Sequence, residues 1–387
     1  MSIICLILFL AFPIIGLPLF LGCYIFHSNK KGIFYSILIG LTLGFITYYF
    51  IPPADYDLYR HQLIAKSIHN LPFDRFLIYS KVAELEFLPL LYSYFISFTE
   101  NYNLLQFFVV SLGYTLMFYM MYDYRKKIEI SNLSFALVVI FNIFGFNALY
   151  FISGLYYYIA IILFSFAFYN EYTKKGNKIL SYIIYGLILL IHDSMFFPVG
   201  ILLIFKLFKN KLNLKSLGLC ILIFGLSYYV ISFLSSMINL DIFTKVINMY
   251  NHYISNDYRM KKFYSGTIFI IEISKLALIL ATILLTKNKK ALKKENGFII
   301  LLTVSTLLMM PKSMVMIRFI MAVQLIGIVP LMDYYKKTKL TDIKLIMMIV
   351  LLILATLYVL YFVRVFKDEN FTNLNAFNNI FAILKKE

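Results

Sequence analysis

The residues best equipped for chemistry arrive together at 52–60, in Pro52-Pro53-Ala54-Asp55-Tyr56-Asp57-Leu58-Tyr59-Arg60. Two carboxylates, two tyrosines and an arginine follow a Pro-Pro pair that ends an apolar helix. The chain then stays polar to about residue 87. Such a cluster at the mouth of apolar helices suits a polar ligand. Asp55-x-Asp57 is a spacing that can hold Mg²⁺ with a diphosphate. Two carboxylates with no further ligand in sequence are a weak metal signature, so no metal is expected.

Five other places carry costly or reactive groups. His192 closes an apolar segment in Leu189-Leu190-Ile191-His192-Asp193-Ser194. An imidazole at the wet end of a span can act as a general base or orient an acceptor hydroxyl, and Asp193 beside it can tune it. The alternative is an interfacial histidine bonded to a neighbouring carbonyl. Arg318, in Met314-Val315-Met316-Ile317-Arg318-Phe319, is expensive among apolar residues unless it faces a cavity or a carboxylate. Its planar fork suits phosphate oxygens, while a structural ion pair with Glu272 is the other reading. Glu272 and Lys275, three apart, share a helix face and read as mutually neutralising. A second polar stretch holds Tyr250, Tyr253, Arg259, Lys261 and Lys262, and Lys312 sits in a short turn.

The elements that must position these groups are membrane helices. Hydrophobic residues make up 61% of the chain and charged residues 14%. Apolar runs of about 18–20 residues recur throughout, each long enough for a ~30 Å hydrocarbon core. Alternation in ~10-residue blocks, the mark of a membrane barrel, is absent. The net charge of +17 comes mostly from short clusters between the runs, which is the pattern of cytoplasmic loops and not of a nucleic-acid surface. Cys5, Cys23 and Cys220 lie inside apolar runs, with neither a disulfide framework nor metal spacing. The first apolar run lacks a basic leader and a small-residue exit, and reads as a span and not a signal peptide.

Placing every basic cluster in the cytoplasm sets the expected topology: Arg125-Lys126-Lys127, Lys174-Lys175 with Lys178, Lys209 to Lys215, Lys287 to Lys294, and Lys336 to Lys344. Helix 1 is expected over about 3–26, with a loop at His27–Lys31, and helix 2 over about 32–51. The stretch 52–87 is then external, and 103–122 returns the chain inside. Phe87–Phe98, about 12 apolar residues, is too short to cross and reads as re-entrant or interfacial. Hairpins follow at about 132–149 with 155–172 and at 178–192 with 194–208. A span at about 216–236 opens a second external loop at 237–266. Spans at about 267–286, 297–310, 314–333 and 342–362 complete the count. The expected fold is an all-α polytopic membrane protein of about twelve spans in a single membrane domain, 1–387, with both termini external. Its two longer external loops carry short interfacial helices. Asp55, Asp57, Arg60, His192, Asp193, Arg259, Lys261, Lys262, Lys312 and Arg318 all fall on or just beneath the external face.

In order and sidedness these features resemble the EpsG-like, Wzy-type polysaccharide polymerases. The resemblance rests on Asp55-Tyr56-Asp57-Leu58-Tyr59, Glu86-Phe87-Leu88-Pro89-Leu90 and Tyr150-Phe151-Ile152-Ser153-Gly154-Leu155 with Ala160. Ile191-His192-Asp193-Ser194 and Arg318 complete it, so that it spans most of 30–330. One departure stands out: relatives often carry an arginine soon after the equivalent of Gly154, where this chain has Tyr156, Tyr157 and Tyr158. Arg60, Arg259 or Lys312 would then supply that cation. The resemblance implies a GT-C-like membrane glycosyltransferase at the outer face of the bacterial cytoplasmic membrane, with undecaprenyl-diphosphate-linked glycans as donor and acceptor. The product would be O-antigen, capsular or exopolysaccharide. It further implies His192 or Asp55 as base, Arg318 with Arg60 on the leaving diphosphate, and Tyr56, Tyr59, Tyr250 and Tyr253 against sugar rings. No cofactor and no nucleic acid are implied, and a chain-length regulator and a flippase are the implied protein partners. The rival class is a lipid-linked-oligosaccharide flippase or other transporter, which needs polar groups at mid-membrane. A lipid-dependent transferase adding a single sugar is the other alternative.

Overall fold

The structure is a computed structural model. It describes residues 2–52, 54, 56–82, 86–146, 151, 154–212, 215, 217–219, 266–285, 294–308 and 313–336, with isolated positions beyond 345. Every named element among these is helical. The chain divides into two compact units, Met1–Met195 with Tyr335–Glu387, and Phe196–Tyr334.

The first unit is built on two long helices. After α1 (Ser2–Ala11), α2 runs unbroken over Pro13–Tyr48, with Pro13 in the first turn where a missing N–H costs nothing. The loop expected at His27–Lys31 does not form. Polar residues alone do not stop a helix, and neither a proline nor a left-handed residue stands there. At 36 residues α2 is about 54 Å long, well over a bilayer core. Among the described residues, its second half, Lys31–Tyr48, and α6 (Leu104–Arg125) are the two helices long and apolar enough to cross a membrane. These two pack face to face. Ser36-x₃-Gly40-x₃-Gly44 makes a small-residue stripe on α2. A Cβ at Gly40 would lie 2.6 Å from the Ser111 carbonyl oxygen, and one at Gly44 2.6 Å from that of Phe107. The backbones touch because no side chain intervenes, as membrane helices with small-x₃-small stripes do.

Between α2 and α6 lie three short helices: α3 (Asp57–Ser67), α4 (Phe73–Val82) and α5 (Phe87–Ser97). The short apolar piece expected near 87–98 is therefore present, and the polar stretch before it carries two amphipathic helices. Ile68, Phe76, Leu90 and Tyr94 close a core among the three, and the Tyr94 hydroxyl donates to the Leu71 carbonyl at 2.9 Å. The hairpin elements follow as α7 (Asn132–Gly145), α8 (Leu155–Phe168) and α9 (Lys178–Ile191). Ser131 and Asn177 cap α7 and α9 by accepting backbone N–H bonds, so each helix starts where the sequence first offers a cap. A π-helical turn, Tyr169–Lys174, extends α8 and ends at Lys175, whose φ of 54° is left-handed. Cys5 and Cys23 are free and buried, their sulfurs 3.9 Å apart.

The second unit contains α10 (Phe196–Leu207), α11 (Gly266–Leu285), α12 (Lys294–Leu308), α13 (Ser313–Ile326) and α14 (Ile328–Tyr334). The expected span at 314–333 is thus interrupted at Gly327. A Cβ there would meet both Ile279 and the Val323 carbonyl at 2.8 Å, so Ile279 of α11 packs directly against the interruption. The sequence's spans at about 216–236 and 342–362, and the external loop 237–266, lie almost wholly outside the described residues.

Candidate functional site

In the first unit the helix ends sort into two groups. At one end, Arg125 donates to the Ile25 carbonyl at 2.6 Å and to Asn132 Oδ1 at 2.7 Å. Tyr169 donates to Asp123 at 2.7 Å, Lys127 pairs with Asp123 at 3.6 Å, and Lys174 reaches the Tyr119 hydroxyl at 2.6 Å. The basic clusters at 125–127 and 174 thus meet, as their common sidedness predicted. The other ends of α6 and α8 are about 33 and 21 Å away along their axes at 1.5 Å per residue. There the polar residues of α3, α5 and α9 gather.

The first turn of α8 joins them. Tyr156 and Tyr157, consecutive on a helix, point about 100° apart and so serve two neighbours. The Tyr156 ring receives His61 of α3 edge-on, with centroids 4.5 Å apart and planes at 78°. The Tyr157 ring receives His192, at 5.2 Å and 74°. The Tyr156 hydroxyl donates to the Pro89 carbonyl at 3.3 Å and lies 2.9 Å from Ser93 Oγ, which leaves Ser93 as the donor to it. Gln62, next to His61, bonds Asn103 at 3.0 Å and Gln106 at 3.2 Å. The buried Gln106 in turn reaches the Phe50 carbonyl at 3.4 Å. The amides lock α3 to the start of α6 and the end of α2.

His192 follows the last residue of α9 in extended conformation, φ −158° and ψ 122°, and its N–H still bonds the Ile188 carbonyl. The Ser194 backbone N–H donates to its Nδ1 at 3.2 Å, and Ser194 Oγ lies 2.8 Å from the same atom. A backbone N–H only donates, so Nδ1 carries the lone pair and the neutral ring holds its proton on Nε2. Asp193 opens the short 3₁₀ turn Asp193–Met195 and is half-buried.

The other sequence candidates divide as follows. Asp57 stands in the first turn of α3, where the helix N-terminus favours a carboxylate, and pairs with Arg60 at 3.6 Å. Arg60 is exposed and Asp57 half-buried, so the pair itself adds at most about 1 kcal/mol. Tyr56 precedes α3 with its ring 6.0 Å from Phe50, and Tyr59 is exposed. Arg318, half-buried on α13, belongs to the second unit, where the next residue, Phe319, stacks on Phe197 at 4.1 Å. Lys275 on α11 is fully buried. Asp55, Tyr250, Tyr253, Arg259, Lys261, Lys262 and Lys312 lie outside the described residues, as does the side chain of Glu272. No group of three or more metal-ligating side chains occurs among the described residues.

His61 escaped the sequence reading. Its signal was spacing: it stands four residues after Asp57, on the same face of α3. Burial, and after it the Arg60 charge, lower its pKa to about 4, with Asp57 opposing both. At neutral pH the ring is therefore uncharged.

Comparison with known families settles what kind of chain arranges its helices this way, for the EpsG family profile matches residues 32–377. The chain belongs to the EpsG family. With its apolar helices this makes the EpsG-family protein a membrane protein of polysaccharide biosynthesis. No curated protein and no solved structure matches it. The match begins inside α2, at the start of the span that meets α6, and takes in every residue of the polar end.

Proposed function

We propose that this EpsG-family protein is a glycosyltransferase that polymerises lipid-diphosphate-linked oligosaccharide repeat units. It acts at the external face of the bacterial cytoplasmic membrane, in a domain of about twelve spans. Donor and acceptor are undecaprenyl-diphosphate-linked glycans, and the polymer is O-antigen, capsule or exopolysaccharide. One observation carries the reading: α8's Tyr156–Tyr157 turn joins the charged helix α3 to His192, at the opposite end of the unit from its basic clusters.

The chemistry asked of such a site is simple to state. The acceptor hydroxyl attacks the anomeric carbon of the donor, its proton leaves to a base, and the bond from that carbon to the diphosphate breaks. The electron pair departs with the diphosphate. Cations near the leaving group and donors near the acceptor act most strongly when charge develops. Arg60 with Arg318 are the proposed cations, with Arg259, Lys261, Lys262 and Lys312 as further anion-binding groups. Asp57 and Asp193 orient hydroxyls, and Tyr56, Tyr59, Tyr250 and Tyr253 stack on sugars. Asp55 and His192 are the sequence's two candidates for the base.

The test is a deletion strain examined for surface glycan. A polymerase defect leaves single repeat units on the surface carrier. A transporter defect leaves none outside, and the buried Lys275 of α11 would then be the residue to pursue, since an ionisable group within the bilayer marks a transport path. Surface polymer of normal length in the deletion strain would refute the reading.

A further inference from the structure

Building on the proposed glycosyl transfer, we infer that Gln62 and Asn103 form a glycan subsite at the polar end of the first unit. Gln62 accepts from a sugar hydroxyl there, and Asn103 donates to a neighbouring sugar oxygen. The orientation of both amides is fixed from the interior outwards. The Phe50 carbonyl can only accept, so the Gln106 atom 3.4 Å from it is Nε2. Gln106 Oε1 therefore turns to Gln62 and accepts from its Nε2 at 3.2 Å. The same Gln62 nitrogen donates to Asn103 Oδ1 at 3.0 Å, and Gln106 Nε2 reaches that oxygen at 3.4 Å. Every inward-facing atom is then used. What these bonds leave is an acceptor, Gln62 Oε1, beside a donor, Asn103 Nδ2.

Gln106 is fully buried, whereas Gln62 and Asn103 are half-buried, so the relay of amides runs from the interior to the surface. Asn103 stands at the N-cap of α6, where an asparagine ordinarily accepts from the backbone of the first turn, yet it makes no such bond. Its oxygen serves Gln62 and Gln106 instead, which holds its nitrogen in one orientation. Groups held this way lose little freedom when a ligand arrives. On α3, Leu58 and Ala65 are buried, and Gln62 lies between that face and the exposed Tyr59 and Lys66, three residues before it and four after.

These groups match a carbohydrate. An aromatic ring such as Tyr59 covers the apolar face of a sugar, while an amide pair reads the polar edge without the cost of burying a charge. The complement of this pair is a pyranose edge with a donating hydroxyl beside an oxygen that has no proton to give, namely a ring, linkage or acyl oxygen. An ionised phosphate brings no proton for Gln62 Oε1 and fits less well. The subsite thus grips the glycan of the repeat unit, not its diphosphate.

The decisive experiment uses the full-length protein in nanodiscs, with a defined lipid-diphosphate-linked repeat unit as substrate. Asn103→Asp keeps the inward oxygen and removes only the outward N–H groups. Its unfolding midpoint should match wild type, while KM rises about three- to tenfold at unchanged kcat, the worth of one neutral hydrogen bond. Gln62→Glu would set a carboxylate oxygen against Asn103 Oδ1 and Gln106 Oε1, and should lower the unfolding midpoint. The repeat-unit oligosaccharide, released from its carrier by mild acid, tests binding without turnover. It should slow the reaction of Lys66→Cys with an impermeant maleimide several-fold, and leave Arg75→Cys, exposed on α4, untouched. A KM within about twofold of wild type in Asn103→Asp would overturn the inference and leave the polymerase reading intact. So would a midpoint that falls in Asn103→Asp as far as in Gln62→Glu, since the amides would then point the other way. A wild-type protein that extends nothing while Lys66→Cys is still protected would overturn the polymerase reading alone. Neither extension nor protection would overturn both.

Discussion

The Tyr156 hydroxyl offers a sharp test of how the polar end is held together. It lies 2.9 Å from Ser93 Oγ and 3.3 Å from the Pro89 carbonyl, and both Tyr156 and Ser93 are buried. Tyr156→Phe keeps the ring against His61 but removes both contacts. The Ser93 hydroxyl is then buried without that partner, at a cost of about 1–2 kcal/mol. Ser93→Ala alone leaves the Tyr156 hydroxyl its bond to Pro89 and should cost nearer 0.5–1 kcal/mol. In the double variant the orphaned hydroxyl is gone, so the two losses should not add, and the cycle should return a coupling of about 1 kcal/mol. Thermal or denaturant unfolding in detergent measures all four corners. Because the bond ties α5 to the turn of α8 that carries both histidine contacts, a 1 kcal/mol loosening should also slow chain extension about fivefold in Tyr156→Phe. Strict additivity of the two unfolding losses would refute the geometry. Unchanged extension in a demonstrably destabilised Tyr156→Phe would refute the link from this bond to the site.

Gly40→Leu or Gly44→Leu should separate α2 from α6 and cost several kcal/mol, read as lost detergent stability and lost membrane accumulation, since the backbones leave no room for a side chain. His61 should make stability pH-dependent. Its folded pKa, about 4, lies below the unfolded value of roughly 6.5, so its contribution is full above 6.5 and is lost as pH falls toward 4. The loss is at most about 3 kcal/mol, less for a partly exposed ring, and appears as a steeper acid loss in wild type than in His61→Gln during pH-stepped unfolding. Arg60→Ala should change stability by under about 1 kcal/mol, because Arg60 is itself exposed and its pair with Asp57 is screened by solvent. Chain extension should nevertheless drop at least tenfold, and an unaffected rate would remove Arg60 from the leaving-group role.

Much of this arrangement was legible in the residue order. The short helix at 87–97, the helices between 132 and 207 and the common end of the clusters at 125–127 and 174 follow from apolar run length and from where lysine and arginine fall, both local properties. The continuity of α2 through His27–Lys31 was not legible that way. A polar interruption looks the same whether the helix stops or runs on, and here Arg125, about a hundred residues later, bonds the carbonyls of Tyr24 and Ile25 beside it. The break at Gly327 was likewise not legible, and Ile279, far earlier in the chain, packs against it.

The candidate site divides along the same line. Sequence alone singled out His192 and the Asp57–Arg60 cluster, because charged and imidazole groups are rare at the ends of apolar helices. It could not show that Tyr156 would be the residue on which His61 rests. Nor could it show which nitrogen of His192 is already engaged. Hydrophobic pattern decides which segments enter the bilayer, one segment at a time. Which lone pairs remain for a substrate is settled only when helices far apart in the chain close on one another and use up the rest.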